Sequence, residues 1–92
     1  MIIKNREKEG RGSFFIEDDA GLIAELTYRR KGNILTIDHT EVKRKVENRG
    51  IGSGLVRETV EFARRNNLKI EPLCRFAKVQ FERNESYQDV RA

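Results

Sequence analysis

The chain has 92 residues, 37% apolar and 37% charged, which allows one compact core and no second domain; a chain this short buries about 60–65% of its unfolded surface. A single cysteine excludes an internal disulfide framework, and with one histidine it leaves too few soft ligands for a structural zinc site, so no metal is expected. The charge of +4 favours anionic partners, while the absence of any apolar run near ~20 residues, and an opening Met1-Ile2-Ile3-Lys4-Asn5 that soon turns charged, exclude a membrane span and a signal peptide and make the cytoplasm the expected location.

Ser13-Phe14-Phe15-Ile16-Glu17 is rich in aromatic and β-branched residues and ends in Asp18-Asp19-Ala20-Gly21, which reads as a strand and the turn of a first hairpin. Leu22, Ala24, Leu26 and Tyr28 then alternate with Ile23, Glu25, Thr27 and Arg29, the two-residue period of a strand with one buried face. Lys31-Gly32-Asn33 reverses the chain into a strand from Ile34 to Val42, where plain alternation groups Leu35, Ile37 and His39 against Thr36, Asp38 and Thr40. A bulge in this strand would re-aim these side chains.

After the glycines at 50, 52 and 54 the period becomes helical. Leu55, Val56, Thr59, Val60, Phe62 and Ala63 form one stripe, and Arg57, Glu58, Glu61, Arg64 and Arg65 stand opposite. Asn66-Asn67 ends that helix, Leu68 to Leu73 reads as a short strand leading to Cys74, and a second amphipathic helix carries Phe76, Val79, Gln80 and Phe81. The order β-β-β-α-β-α, with a strand–helix–strand crossover, implies a mixed α/β sheet with at least one parallel pair. Ligands gather in such sheets where strand C-termini meet helix N-termini, which here means residues 38–54 and 73–76.

Gly50, Gly52 and Gly54 stand at that edge, between a strand and the first turn of the long helix. The first amides of a helix have no internal acceptors and lie at its positive end, so they suit a phosphate. The dinucleotide fingerprint would need glycine at Leu55, and the Walker Gly-Lys-Ser/Thr is absent, so neither nucleotide motif fits. Glycines that merely shape the helix entry are the alternative.

The phrase Ile37-Asp38-His39-Thr40-Glu41-Val42, a charged linker, and then Arg49-Gly50-Ile51-Gly52-Ser53-Gly54 resembles motif A of the Gcn5-related N-acetyltransferases (GNAT), a central strand leading into a Q/R-x-x-G-x-G/A loop. The later Pro72-Leu73-Cys74 and Tyr87-Gln88-Asp89 extend the likeness to the small YjdJ-type subfamily. The resemblance implies a minimal GNAT-like α/β (α+β) fold over residues 1–92: a mixed, mostly antiparallel sheet of about five strands, a long central helix and a short C-terminal helix. It also implies acetyl-CoA (coenzyme A) as ligand. The pyrophosphate would lie on the amides of Arg49, Gly50, Ile51, Gly52, Ser53 and Gly54, and the pantetheine arm along the backbone of Thr40 and Val42. The motif's leading Gln/Arg is Glu47 here, a departure that leaves the backbone cradle intact.

By the same resemblance the sulfur of Cys74 faces the CoA thioester, which would permit an S-acetyl intermediate. Cys74 precedes a helix and adjoins Arg75, surroundings that favour a thiolate, although a free cysteine is also commonly an inert core residue. His39, the only histidine, is the candidate base, or else a structural residue at a strand end. Tyr87 is held in reserve as an acid for the departing thiolate. The expected function is acetyl transfer from acetyl-CoA to an unidentified amine. The alternative is a non-catalytic or self-acylating acetyl-CoA-binding module, a reading that the short chain supports. Nucleic-acid binding is set aside because no aromatics interleave the basic clusters, and an uncovered edge strand makes a homodimer conceivable.

Overall fold

The turns and the alternating strands set the order of the sheet directly. In the computed structural model, which describes residues 1–92, five strands lie in chain order across one sheet: β1 (Lys4–Lys8), β2 (Arg11–Asp18), β3 (Gly21–Lys31), β4 (Ile34–Val42) and β5 (Lys69–Pro72). The first four pair antiparallel, and β5 pairs parallel to β4 after a crossover through α1 (Ile51–Arg65). A second helix, α2 (Arg75–Arg83), and a 3-10 segment at Glu85–Val90 complete the chain. This is the mixed, mostly antiparallel five-stranded fold expected. No helix is long and apolar enough to cross a membrane.

One strand has no apolar signal in the sequence. Every residue of β1 is exposed, yet Lys4 to Lys8 pair with Phe15 to Arg11, and the hairpin turns at Glu9 and Gly10 with φ of 54° and 78°. The hairpin at Asp18–Gly21 is therefore the second, not the first. Asn5 and Glu7 hold β1 in place through the buried Tyr28 hydroxyl, which accepts from Asn5 Nδ2 at 3.1 Å and donates to Glu7 Oε1 at 2.8 Å.

Two bulges reset which side chains face the helices. Between Ile16/Glu17 and their partners Ala24/Leu22, the extra residue is Ile23. Ile23 is buried, and Leu22, expected on the core face, is left exposed at the surface. In β4 the extra residue is Asp38: Tyr28 pairs with Ile37, and its neighbour Thr27 pairs with His39. Leu35 and Ile37 thus face the core, Asp38 and His39 share the open face with Thr27, and Thr40, opposite Leu26, returns to the core side. The expected face shared by Leu35, Ile37 and His39 ends at the bulge.

The helices cover one face of the sheet, and a core of 19 buried residues fills the space between. Leu55, Val56 and Val60 on α1 have no exposed surface, and burying such side chains is worth about 1.5–3 kcal/mol each. That anchoring fixes where the start of α1 sits against the end of β4. Thr59, the polar residue within the stripe, is satisfied by donating to the Leu55 carbonyl at 2.8 Å. Phe62 leans from the same stripe over Phe14 and Tyr28.

Candidate functional site

Beyond Ile37 the edge of β4 loses its partner. Pairing with β5 runs only from Ile34 to Ile37, after which Leu73 and Cys74 both donate to the Ile37 carbonyl, at 3.0 and 3.1 Å, and the chain turns away into α2. Residues 38–42 of β4 are left with one edge free of any strand. The beginning of α1 approaches the same stretch, and between them lies a groove of about 380 Å³ bounded by Thr40, Val42, Val46, Glu47, Ser53 and Phe76, among others.

The loop that enters α1 has an unusual backbone. Asn48 and Gly50 both lie in the left-handed region, with φ of 62° and 74°, and such reversals turn successive N–H groups toward one side. Gly50 is the helix N-cap, and no side chain caps the helix. The first helical bond in this turn runs from the Gly54 N–H to the Gly50 carbonyl at 3.0 Å, whereas the amides of residues 48 through 53 have no protein acceptor. Asn48, Gly50, Ile51, Gly52 and Ser53 line the groove. A second set lies nearby, because the first three amides of α2 are equally without acceptors and Cys74 is its N-cap, again with no side-chain cap.

Of the expected site residues, Thr40, Val42, Gly50, Ile51, Gly52 and Ser53 come together around this groove. Gly54, whose amide is used within the helix, does not line it, and Arg49 is an exposed loop residue beside it. Cys74 is half-buried against the core with its Sγ 3.5 Å from Thr40 Oγ1. His39 is not brought to Cys74. The bulge puts it on the opposite face of the sheet, largely exposed and 3.5 Å from Glu41. Tyr87 is buried in the core with its ring 5.5 Å from that of Phe81, and Asp89 pairs with Arg64.

The glycines do different work from one another. A Cβ on Gly50 would meet nothing, so its requirement is the positive φ alone. A Cβ on Gly52 would come within 2.8 Å of the Phe76 ring, so its bare backbone serves the packing of α2 against α1, which closes one wall of the groove. Asn48 was not singled out in the sequence, and Phe76 was named there only as part of the second amphipathic helix and the 73–76 edge, not as a binding residue. The signal for Asn48 was present, since asparagine tolerates the left-handed region better than other side chains. That for Phe76 was not, because its contact with Gly52 is long-range.

A salt bridge steadies the approach to the loop. Lys45 donates to Asp18 Oδ2 at 2.9 Å, tying the turn before β3 to the 3-10 turn at Arg44–Val46. That hydrogen bond, with a second from the Ala20 amide, holds the Asp18 carboxyl below the usual carboxylate range. A separate shallow hollow of about 260 Å³ lies by Ala20, Leu22, Glu25, Glu41 and Lys43, and none of the expected site residues line it.

Comparison with known proteins agrees with this fold. Residues 13–90 match the family description "GCN5-related N-acetyl-transferase". The solution NMR structure of a GCN5-like protein from Staphylococcus aureus is 41% identical, over 97% of this chain and 87% of that one, with a TM-score of 0.75. The Escherichia coli ribosomal-protein-S18-alanine N-acetyltransferase superposes with a TM-score of 0.68 at 12% identity, over 84% of this chain but only 53% of its own. The Brucella melitensis ribosomal-protein-alanine N-acetyltransferase gives 0.63 at 13% identity, over 83% of this chain and 62% of its own. At such identities the last two speak for the fold alone. No curated protein matches the chain. The match over residues 13–90 and the relationship to the Staphylococcus protein place the chain in the GCN5-related N-acetyltransferase family.

Proposed function

We propose that the chain binds acetyl-CoA in the groove between β4 and α1 and passes the acetyl group to an amine. Acetyltransferases of the family use acetyl-CoA, and the observation that supports its use here is the run of amides at 48–53, free of protein acceptors, in a loop whose Asn48, Gly50, Ile51, Gly52 and Ser53 line the groove. A diphosphate satisfies several such donors at once and lies at the positive end of α1. The unpaired edge of β4 at Thr40 and Val42 offers backbone partners to the pantetheine arm, whose amides are spaced for such pairing. The joint pattern of Ile37-Asp38-His39-Thr40, the glycine loop, Pro72-Leu73-Cys74 and Tyr87-Gln88-Asp89 supports membership of the small YjdJ-type subfamily. A cytoplasmic setting would keep Cys74 reduced.

In this reading Cys74 lies at the acyl end of the groove. Its thiolate attacks the acetyl carbonyl and displaces the CoA thiolate; the amine then attacks the S-acetyl group, forming the amide and returning the thiol. The free amides of Arg75 and Phe76 at the start of α2 are donors available to the carbonyl oxygen as charge develops there. His39 has no part in this sequence from the face it occupies. That absence of a base beside Cys74 favours, as a second reading, a module that binds acetyl-CoA and acylates itself without rapid turnover.

Thermal unfolding with and without CoA tests binding. A ligand at ~100 times its dissociation constant stabilises by about 2.7 kcal/mol, so saturating CoA should raise the Tm by roughly ten degrees or more. No shift would remove both readings. Intact mass after incubation with acetyl-CoA should show one added acetyl group that Cys74→Ala abolishes, and an amine panel then separates the two: decay of the adduct with formation of acetyl-amine marks the enzyme, and a persistent adduct the module.

A further inference from the structure

The bulge that sends His39 to the far face of the sheet leaves a different side chain beside Cys74. With Asp38 inserted, Thr40 turns to the helix side of β4, and its Oγ1 lies 3.5 Å from Cys74 Sγ. Cys74 does not itself line the groove; Thr40 does, so the sulfur meets the groove wall through this contact.

The chain has four threonines, and each hydroxyl lies beside one polar partner. Thr27 and Thr36 donate to carboxylates and Thr59 to a backbone carbonyl, whereas Thr40 alone faces sulfur. Backbone fixes both ends of the contact. Thr40 is paired with the fully buried Leu26 of β3, and the Cys74 N–H donates to the Ile37 carbonyl at 3.1 Å. The two side chains therefore meet because of how β4, β5 and α2 join.

In the neutral pair either group can donate, but a thiolate has no proton and can only accept. A threonine hydroxyl does not act as a base at ordinary pH; it keeps its proton and can donate to the charge on sulfur. We infer that Thr40 is the positioning residue of Cys74: its hydroxyl holds the sulfur at the groove wall and stabilises it as the attacking thiolate. The inference deepens the acyl-transfer reading above and rests on it. The thiol proton goes to solvent, which reaches the half-buried cysteine, and Thr40 keeps its own throughout. Of the elements packed around the pair, α2 brings the charges of Arg75 and Lys78, and β5 those of Lys69 and Glu71. The start of α1 carries none from 51 to 56, Asp38, His39 and Glu41 of β4 lie on the other face, and Glu47 borders the groove.

Alkylation of Cys74 by iodoacetamide in the intact chain without CoA, followed from about pH 6 to 10, tests it. Thr40→Val keeps the shape of the side chain and removes the donor. It should slow alkylation about three- to tenfold on the acid side of the profile without lowering the plateau at high pH, and Thr40→Ser should restore the parent profile. Loss of a packing contact would instead change the rate by one factor at every pH. Where Thr40→Val melts well below the parent, Thr40→Ala supplies the same comparison. A profile that removal of the hydroxyl leaves unchanged, or that serine does not restore, overturns the inference and leaves the acyl-transfer reading standing. A parent chain that takes no acetyl group from acetyl-CoA, read separately by intact mass, removes that reading and this inference with it.

Discussion

Two glycines in this molecule meet aromatic rings, and their surroundings could hardly differ more. At Gly12 an added Cβ would fall 2.4 Å from the Tyr28 ring, which is buried and has its hydroxyl held by Asn5 and Glu7. At Gly52 the Cβ would meet Phe76, which remains 39% exposed, beside amides that no protein group satisfies. The first region is closed: its polar groups are matched and its space is filled. The second leaves amide donors and apolar surface uncovered, as the proposed acetyl-CoA groove would require. A small glycine gap therefore marks closed structure in one place and, under the proposed function, a binding groove in the other, and the hydrogen bonds around each distinguish them.

The largest expected effect breaks the closed region. Gly12→Ala forces the Tyr28 ring or the β1–β2 hairpin to move, and overpacking of this kind costs about 2–3 kcal/mol, or roughly 10–20 °C in Tm for a domain this size. The rise in Tm on adding CoA should survive, because the groove is untouched. A variant melting within a few degrees of the parent would show that the Tyr28 region is looser than its contacts imply.

Gly50→Val attacks the open region and should behave in the opposite way. With no neighbour in the way of its Cβ, the damage is conformational: a β-branched residue at φ of 74° costs about 1–2 kcal/mol. Melting should fall by roughly 5–10 °C, and CoA affinity by about tenfold as the amides lose their alignment. Calorimetric titration showing unchanged affinity would mean that the loop geometry is incidental to binding. Gly50 serves this purpose better than Gly52, where any loss could come from displacing Phe76.

The smallest effect sharpens the comparison through pH. Burial, opposed by the Asn5 hydrogen bond and reinforced by Glu7, pushes the Tyr28 phenol up to about 12. The unfolded chain releases that proton near pH 10, so the stabilisation is complete below that pH and is lost as pH rises toward 12. Tyr28→Phe should cost about 1 kcal/mol at neutral pH through its unpaired partners. Its stability should then decline less steeply than the parent's between pH 10 and 12 in denaturant titrations. Parallel curves would place the hydroxyl in contact with water.

Much of this was legible in the sequence, and the parts that were not share a cause. The helical stripe from Leu55 to Ala63 and the turns at 18–21 and 31–33 were readable because local period and turn chemistry specify them. The groove side of the glycine loop was readable for the same reason, since helix amides lack acceptors wherever a helix begins. β1 was invisible because its five residues are all polar or charged and are held by a neighbour's ladder and by Tyr28 from 21 or more residues away. Ile23 and Leu22 exchanged roles, and His39 went to the far face, because an inserted residue leaves no mark in composition. The contact between Gly52 and Phe76 joins two helices that no local pattern relates.

The extra residue at Asp38 works as a change of reading frame written in space. Downstream of it, four residues take their sides together, so the chemistry that the strand shows to the groove is decided by a count and not by any one side chain. A slip that undid the insertion would swap the hydroxyl and valine at 40 and 42 for the imidazole and carboxylate at 39 and 41 in a single step. The same strand thus carries two alternative linings for the groove, and in the observed one Thr27 Oγ1 donates to the inserted Asp38 at 2.5 Å.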